Sequence, residues 1–151
     1  MKRGKVLTFV NRGVNMRLAR IGWGVWEVLG VLDSRGRCQV LDFLDQLGPN
    51  YRAARRAMLV FLKSRLPEDG PPVGNVQLCK PLGDGLFELR RQPKGEKLRV
   101  VFFYDERRRI VCTNAFCKAE TTPRTELALA RALKKRYLIA KLARKLSIEE
   151  V

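Results

Sequence analysis

Apolar residues recur along this chain in two rhythms, and the switches between them mark out its elements. Residues 26–32 (WEVLGVL) are short, β-branched and closed by the turn formers Asp33-Ser34-Arg35-Gly36, which predicts the first strand of a sheet. From Cys38 the apolar positions Val40, Leu41, Leu44 and Leu47 take helical spacing, and Gly48-Pro49 stops it. The stripe resumes at Ala54, Met58, Phe61, Leu62 and Leu66, so an antiparallel helical hairpin is expected to lie on the sheet. Residues 67–74 (PEDGPPVG) form a loop by composition. Three strand-like runs follow at 86–91, 98–104 and 110–117, separated by polar turns, the pattern of an antiparallel meander. Thr121 or Thr122 then caps a helix with Pro123 in its first position and Glu126 in its first turn. Its inner stripe is Leu127, Ala130, Leu133 and Tyr137, and helical spacing continues through Ile139, Leu142 and Leu146. The predicted class is α+β.

Within the meander, period two sets Leu86, Glu88 and Arg90 on one face of the first strand and Phe87, Leu89 and Arg91 on the other. Phe87 and Leu89 choose the core. Glu88 and Arg90 are left together, either paired across one pleat or facing a ligand. The run at 98–104 is nearly continuous apolar, as expected for a strand covered on both sides, and Arg99 interrupts it. Gly83 and Gly85 flank Asp84 just before this meander. A phosphate-cradling loop needs a helix after it, and a strand follows here, so these glycines read as turn residues with positive φ.

Charge changes the picture. Across 151 residues there are 31 Lys+Arg against 15 Asp+Glu, a net +16, with 46% hydrophobic residues, enough for one domain with a core. Charge of that size repels itself unless partnered, and it points to RNA, DNA or an acidic protein that masks it. Ribosomal and nucleoid proteins share the property. Residues 1–20 hold Lys2, Arg3, Lys5, Arg12, Arg17 and Arg20 and no acid. The chain thus divides into a poorly ordered basic arm (1–20), a folded domain (21–138) and a C-terminal helical extension (139–151). The arm reads as disordered, or as translated leader upstream of a later start such as Met16, and alternatively as a nucleic-acid tether. Its apolar run at 6–10 is too short for a signal-peptide core or a membrane span, so a cytoplasmic protein without a membrane partner is expected.

Cys38, Cys79, Cys112 and Cys117 stand at no zinc-ligand spacing, and the chain has 0 His to complete a mixed site. On a strand the odd separation of Cys112 and Cys117 sends them to opposite faces, where they could not share one ion, and all four read as reduced, inert thiols. No metal and no cofactor is expected. Lack of His also excludes a histidine acid/base pair and any Cys-His or Ser-His-Asp nucleophile. Glu88 is the one carboxylate inside the basic strands, too few for a metal-ion nuclease. What remains is a surface dense in guanidinium and ammonium groups. Such a surface can grip phosphates, stabilise a pentacoordinate phosphorane, and turn RNA's own 2′-hydroxyl onto the adjacent phosphorus.

The pieces KPLGDGLFELR (80–90), RVVFFY (99–104), Phe116 with Lys118, and Thr122, Pro123, Glu126 and Ala130 follow in an order and spacing that resembles the RelE/HigB superfamily of type II toxins. The likeness is greatest to its phage-derived HigB-like branch; it spans 80–137, reaches weakly back to about Trp26, and leaves both termini uncovered. It implies a RelE-like fold: N-terminal strand, helical hairpin, antiparallel β-meander and C-terminal helix. It also implies a toxin that cleaves mRNA as a metal-independent endoribonuclease, in many relatives on the ribosome, and a cognate helix-turn-helix antitoxin as partner. By position, Arg90 and Arg99 match the family's strand arginines and Lys118 its final-strand lysine. Relatives often carry H-G-F where this chain has Asn114-Ala115-Phe116, so the general base falls to Tyr104 or to a Lys of lowered pKa. The candidate catalytic set is Arg90, Arg99, Lys118 and Tyr104, although Tyr104 lies in an apolar strand and reads as core before it reads as catalytic. Lys80, Arg91, Lys97 and Arg124 are candidate RNA contacts. The alternative is a non-catalytic binder on the same fold, either a ParE-like gyrase poison or an rRNA-binding protein.

Overall fold

The nearly unbroken apolar run that begins at Leu98 lies in the middle of a mixed sheet, buried on both faces as its composition demands. The structure is a computed structural model that describes residues 14–117 and 122–151. Along the chain come β1 (Met16–Trp23), β2 (Glu27–Val31), α1 (Gln39–Asp45) and α2 (Arg52–Val60), which runs through a π-helical turn (Phe61–Arg65) into α3 (Leu66–Asp69). Then follow β3 (Cys79–Gly83), β4 (Leu86–Arg91), β5 (Leu98–Asp105), β6 (Arg109–Cys117), α4 (Arg124–Leu142) and β7 (Leu146–Glu150). The sheet order is β3-β4-β5-β6-β2-β1-β7, parallel at β2/β6 and β1/β7 and antiparallel elsewhere.

Two cores follow, one on each face. Val40, Leu44, Met58, Leu62 and Leu66 of the helical hairpin pack on Leu89, Val100 and Phe102. On the other face Ala130, Leu133 and Tyr137 of α4 pack on Leu86, Val101, Phe103 and Phe116. The hairpin approaches so closely that a Cβ at Gly22 of β1 would lie 2.6 Å from the Leu62 carbonyl oxygen. Gly83 and Gly85 do take positive φ in the β3–β4 turn, as expected, and Asp84 between them does so too.

Several expectations are corrected. Residues 16–20 are not part of a loose arm: Met16 and Leu18 are buried in β1, while residues 1–13 lie outside the described residues. The charge of Arg17 and Arg20, which hid this strand, is met by acids of the neighbouring strands β2 and β7. Arg17 Nε lies 2.6 Å from Glu149, and Arg20 bonds Glu27 at 2.7 Å and also Glu150. The C-terminal extension is not a helix. Arg144 adopts φ 57°, which ends the helical path, and β7 then pairs in parallel with β1 from Met16↔Leu146 to Arg20↔Glu150. Leu146, once the helix stops, alternates with Ile148 into the α4-side core, whereas Ile139 and Leu142 face solvent, Leu142 at 88% exposure. An edge strand, β3, precedes the expected meander; it carries Pro81, which an edge tolerates because one side of its backbone is unpaired. Helix α4 has Pro123 rather than a threonine in its N-cap position, with no side-chain cap.

One irregularity matters for the site. Val101 pairs with Asn114 and Phe102 with Cys112, so Thr113 is the extra residue of a β-bulge in β6. The bulge cancels the odd spacing of Cys112 and Cys117: both meet the hairpin-side core, not opposite faces. All four cysteines are free.

Candidate nucleic-acid interface

Register across the meander builds two rows on the α4 side of the sheet. One row holds Lys80, Glu88, Val101 and Asn114, and the next holds Arg90, Arg99 and Phe116. The sequence-expected strand arginines are therefore cross-strand neighbours, close enough to repel unless an anion lies between them. Glu88 is that anion. Its Oε1 lies 3.3 Å from Arg99 Nε and 3.7 Å from Arg90 Nε, and its Oε2 accepts a hydrogen bond from the Thr122 hydroxyl just before α4. Of the two alternatives for Glu88 and Arg90, pairing within the sheet is the one that the fold adopts.

Arg99 is 1% exposed and Glu88 0%. The Arg99 guanidinium donates to the Leu98 carbonyl at 3.1 Å and to Gln92 Oε1 at 2.8 Å, so both of its Nη atoms are engaged internally. Burial pulls its pKa below the ordinary arginine value, as does the positive charge of Arg90, and Glu88 opposes both. Arg99 thus braces Glu88 and Gln92, and Glu88 in turn holds Arg90 and the start of α4.

Arg90 is half-buried and reaches the edge of the sheet, where Nη1 donates to the Val76 carbonyl at 3.4 Å. Arg91 points to the hairpin side, over the Phe61 ring at 5.4 Å. Both line an open pocket of about 450 Å³ with Val76, Leu78, Gln92 and Pro93. Among the described residues the buried Nε atoms of Arg90, Arg91 and Arg99 make no aligned hydrogen bond, the contacts of Arg90 and Arg99 to Glu88 being ionic.

The other expected residues separate. Tyr104 does not join the arginines, because five residues along β5 is about 17 Å of strand and period two turns it to the opposite face. There it stacks on Phe87 at 5.7 Å and meets Trp26 edge-on at 6.0 Å, leaving it 40% exposed. Lys80 shares the Glu88 row and is exposed at the edge, Lys97 is exposed just before β5, and Arg124 is exposed at the first residue of α4. Lys118 lies outside the described residues. Sequence reasoning missed Asn114 and Gln92 as parts of this site. Asn114, re-aimed by the bulge, is 3% exposed and donates to the carbonyl and the carboxylate of Glu126 at 3.2 and 3.1 Å, tying β6 to α4. The only signal was its place before Ala115-Phe116. Among the described residues no three His, Cys, Asp or Glu side chains converge as metal ligands, and no helix is long and apolar enough to cross a membrane.

Fold and charge together define a small α+β protein with a basic sheet face organised around one buried ion pair. Residues 42–135, which include every strand of the meander and most of α4, match the model of the phage-derived Gp49-like proteins (DUF891). The chain belongs to this family, a toxin-like family of the type II toxin–antitoxin superfamily. Strands β1, β2 and β7 lie outside the matched segment. No curated protein matches the chain.

Proposed function

We propose that this chain is the toxin of a type II toxin–antitoxin pair, of the RelE/HigB kind, and that it cleaves single-stranded mRNA without a metal ion. The observation that supports this reading is the placement of Arg90 and Arg91 on one open pocket, with buried Nε donors that make no hydrogen bond among the described residues. Guanidinium groups on one pocket can hold phosphate oxygens, and their charge is worth most on the extra negative charge of a phosphorane. Arg99 is a positioning residue here, holding Glu88 and through it Arg90. The RNA's 2′-oxygen attacks the adjacent phosphorus, the bond to the 5′-oxygen breaks, and a 2′,3′-cyclic phosphate and a 5′-hydroxyl result. With no His in the chain and Tyr104 on the far face, the 2′-proton passes to water, and a lysine ammonium, Lys80 of the Glu88 row or the family-matched Lys118, donates the proton that the departing 5′-oxygen takes up. A cognate antitoxin with an acidic segment covers this face, since +16 left bare would collect RNA indiscriminately.

A second reading has its own support. Burial of Arg99 leaves one of the two family-matched arginines, Arg90, open to a ligand, which suits a non-catalytic binder of rRNA or of gyrase on the same fold. An end-labelled RNA incubated with the purified chain in EDTA separates the two. The ribonuclease reading expects cleavage to a cyclic phosphate, no cleavage of a 2′-deoxy substitute, and a loss of about 10²-fold or more in Arg90→Ala. Binding without any cleavage selects the second reading, and cleavage that needs a divalent ion overturns the chemistry.

A further inference from the structure

The β4–β5 connection separates two basic concavities. Pro93 lines the Arg90/Arg91 pocket, and its neighbour Lys94 lines a larger open groove of about 770 Å³ against the first turns of α2. The groove's cations are Arg52, Arg56 and Lys94, all exposed, and among the described residues none has a carboxylate within 4.0 Å. Its one acid, Glu96, is turned inward, Oε1 accepting the Ala54 backbone N–H at 2.9 Å, where it offsets the positive end of α2. Lys94 is held at φ 57°, a conformation that costs a non-glycine residue free energy and that sets its side chain on the groove wall.

Resting on the nucleic-acid reading above, we infer that this groove is a second phosphate-binding stretch, continuous with the Arg90/Arg91 pocket across the Pro93–Gly95 turn, along which the RNA backbone runs onto the helical hairpin. The lining chemistry favours a phosphate backbone over a protein partner. The apolar contributors are Pro49, Ala53 and Ala57, too small to form the pocket in which a buried aromatic or aliphatic anchor would seat. Three unpaired cations along a groove are what a charged strand needs.

The test compares oligoribonucleotides of roughly four and roughly twelve nucleotides, within the site sizes usual for single-strand binders. Binding to the full chain is measured against salt for the wild type and for Arg52→Ala/Arg56→Ala/Lys94→Asn, in which Asn tolerates the left-handed backbone of Lys94. A charge-matched control, Arg107→Ala/Lys135→Ala/Arg136→Ala, removes three exposed cations elsewhere. The groove variant is expected to lose the extra affinity of the longer RNA and to lower its salt slope by about 2, at about 0.7 per phosphate contact, with the short RNA bound as in the wild type. The control triple keeps the length dependence. Equal behaviour of the two triples overturns the groove while leaving the Arg90 site standing; a wild type that binds neither RNA overturns both.

Discussion

Arg99 Nε and Glu88 Oε1 lie 3.3 Å apart across β4 and β5, one side chain 1% exposed and the other 0%. The pair explains how an arginine can interrupt an otherwise apolar strand. Both charges are desolvated together, and neither tolerates the other's removal. Arg99→Met is expected to cost about 3–5 kcal/mol by leaving a buried carboxylate with less compensation, and Glu88→Leu/Arg99→Met to regain most of it. Urea midpoints at unchanged m decide the matter. A single Arg99→Met chain as stable as the wild type contradicts this account.

Tyr104 provides the contrast. On the hairpin side of the sheet, stacked on Phe87, it has no access to the Arg90 pocket. Tyr104→Phe is expected to leave RNA binding and any cleavage rate unchanged within about twofold, while Tyr104→Ala loses stability through the aromatic contacts, about 0.5–1.5 kcal/mol for each pair. A rate loss in Tyr104→Phe would return the hydroxyl to the chemistry.

Strand β7 joins the C-terminal end of the chain to β1 through backbone pairing and through Arg17–Glu149 and Arg20–Glu150. Reversing both charges with Glu149→Lys/Glu150→Lys sets like charges side by side and is expected to detach β7. Hydrogen exchange of the β1 amides should then accelerate, and more so at low salt, because these pairs are exposed and screened by ions. Unchanged β1 protection would show that the apolar contacts of Leu146 and Ile148 hold the strand alone.

Alkaline pH should weaken the fold through its thiols. Cys79 is pushed up to about 11 from the ordinary thiol value of 9.0, first by burial and then by the negative charge of Glu88. Burial likewise raises Cys38, Cys112 and Cys117. Because the unfolded chain releases these protons at lower pH than the folded one, their contribution is intact below about 9 and is lost as pH rises through about 11. The melting temperature should fall over that range, less steeply in Cys79→Ala. The same burial predicts slow alkylation of native Cys79 at pH 8; a native thiol as reactive as the unfolded one would refute it.

Sequence alone determined the parts of this protein that local periodicity encodes. Three meander strands, the helical hairpin, the inner stripe of α4 and the positive-φ turn at Gly83-Asp84-Gly85 were legible, because each depends on neighbours a few residues apart. The tertiary structure decided what depends on partners far along the chain. The charges of Arg17 and Arg20 signalled a loose arm until Glu149 and Glu150, with Glu27, were brought beside them. Helical spacing at Leu146 gave way to strand alternation because β1 offered an edge to pair with. Arg99 read as a candidate catalytic arginine until the register placed Glu88 against it, and Asn114 read only as the residue in place of the relatives' H-G-F histidine until the bulge at Thr113 turned it onto Glu126. A period of two or 3.6 fixes which way a side chain points relative to its own element; which charge it meets there is set by pairings that only the folded chain makes.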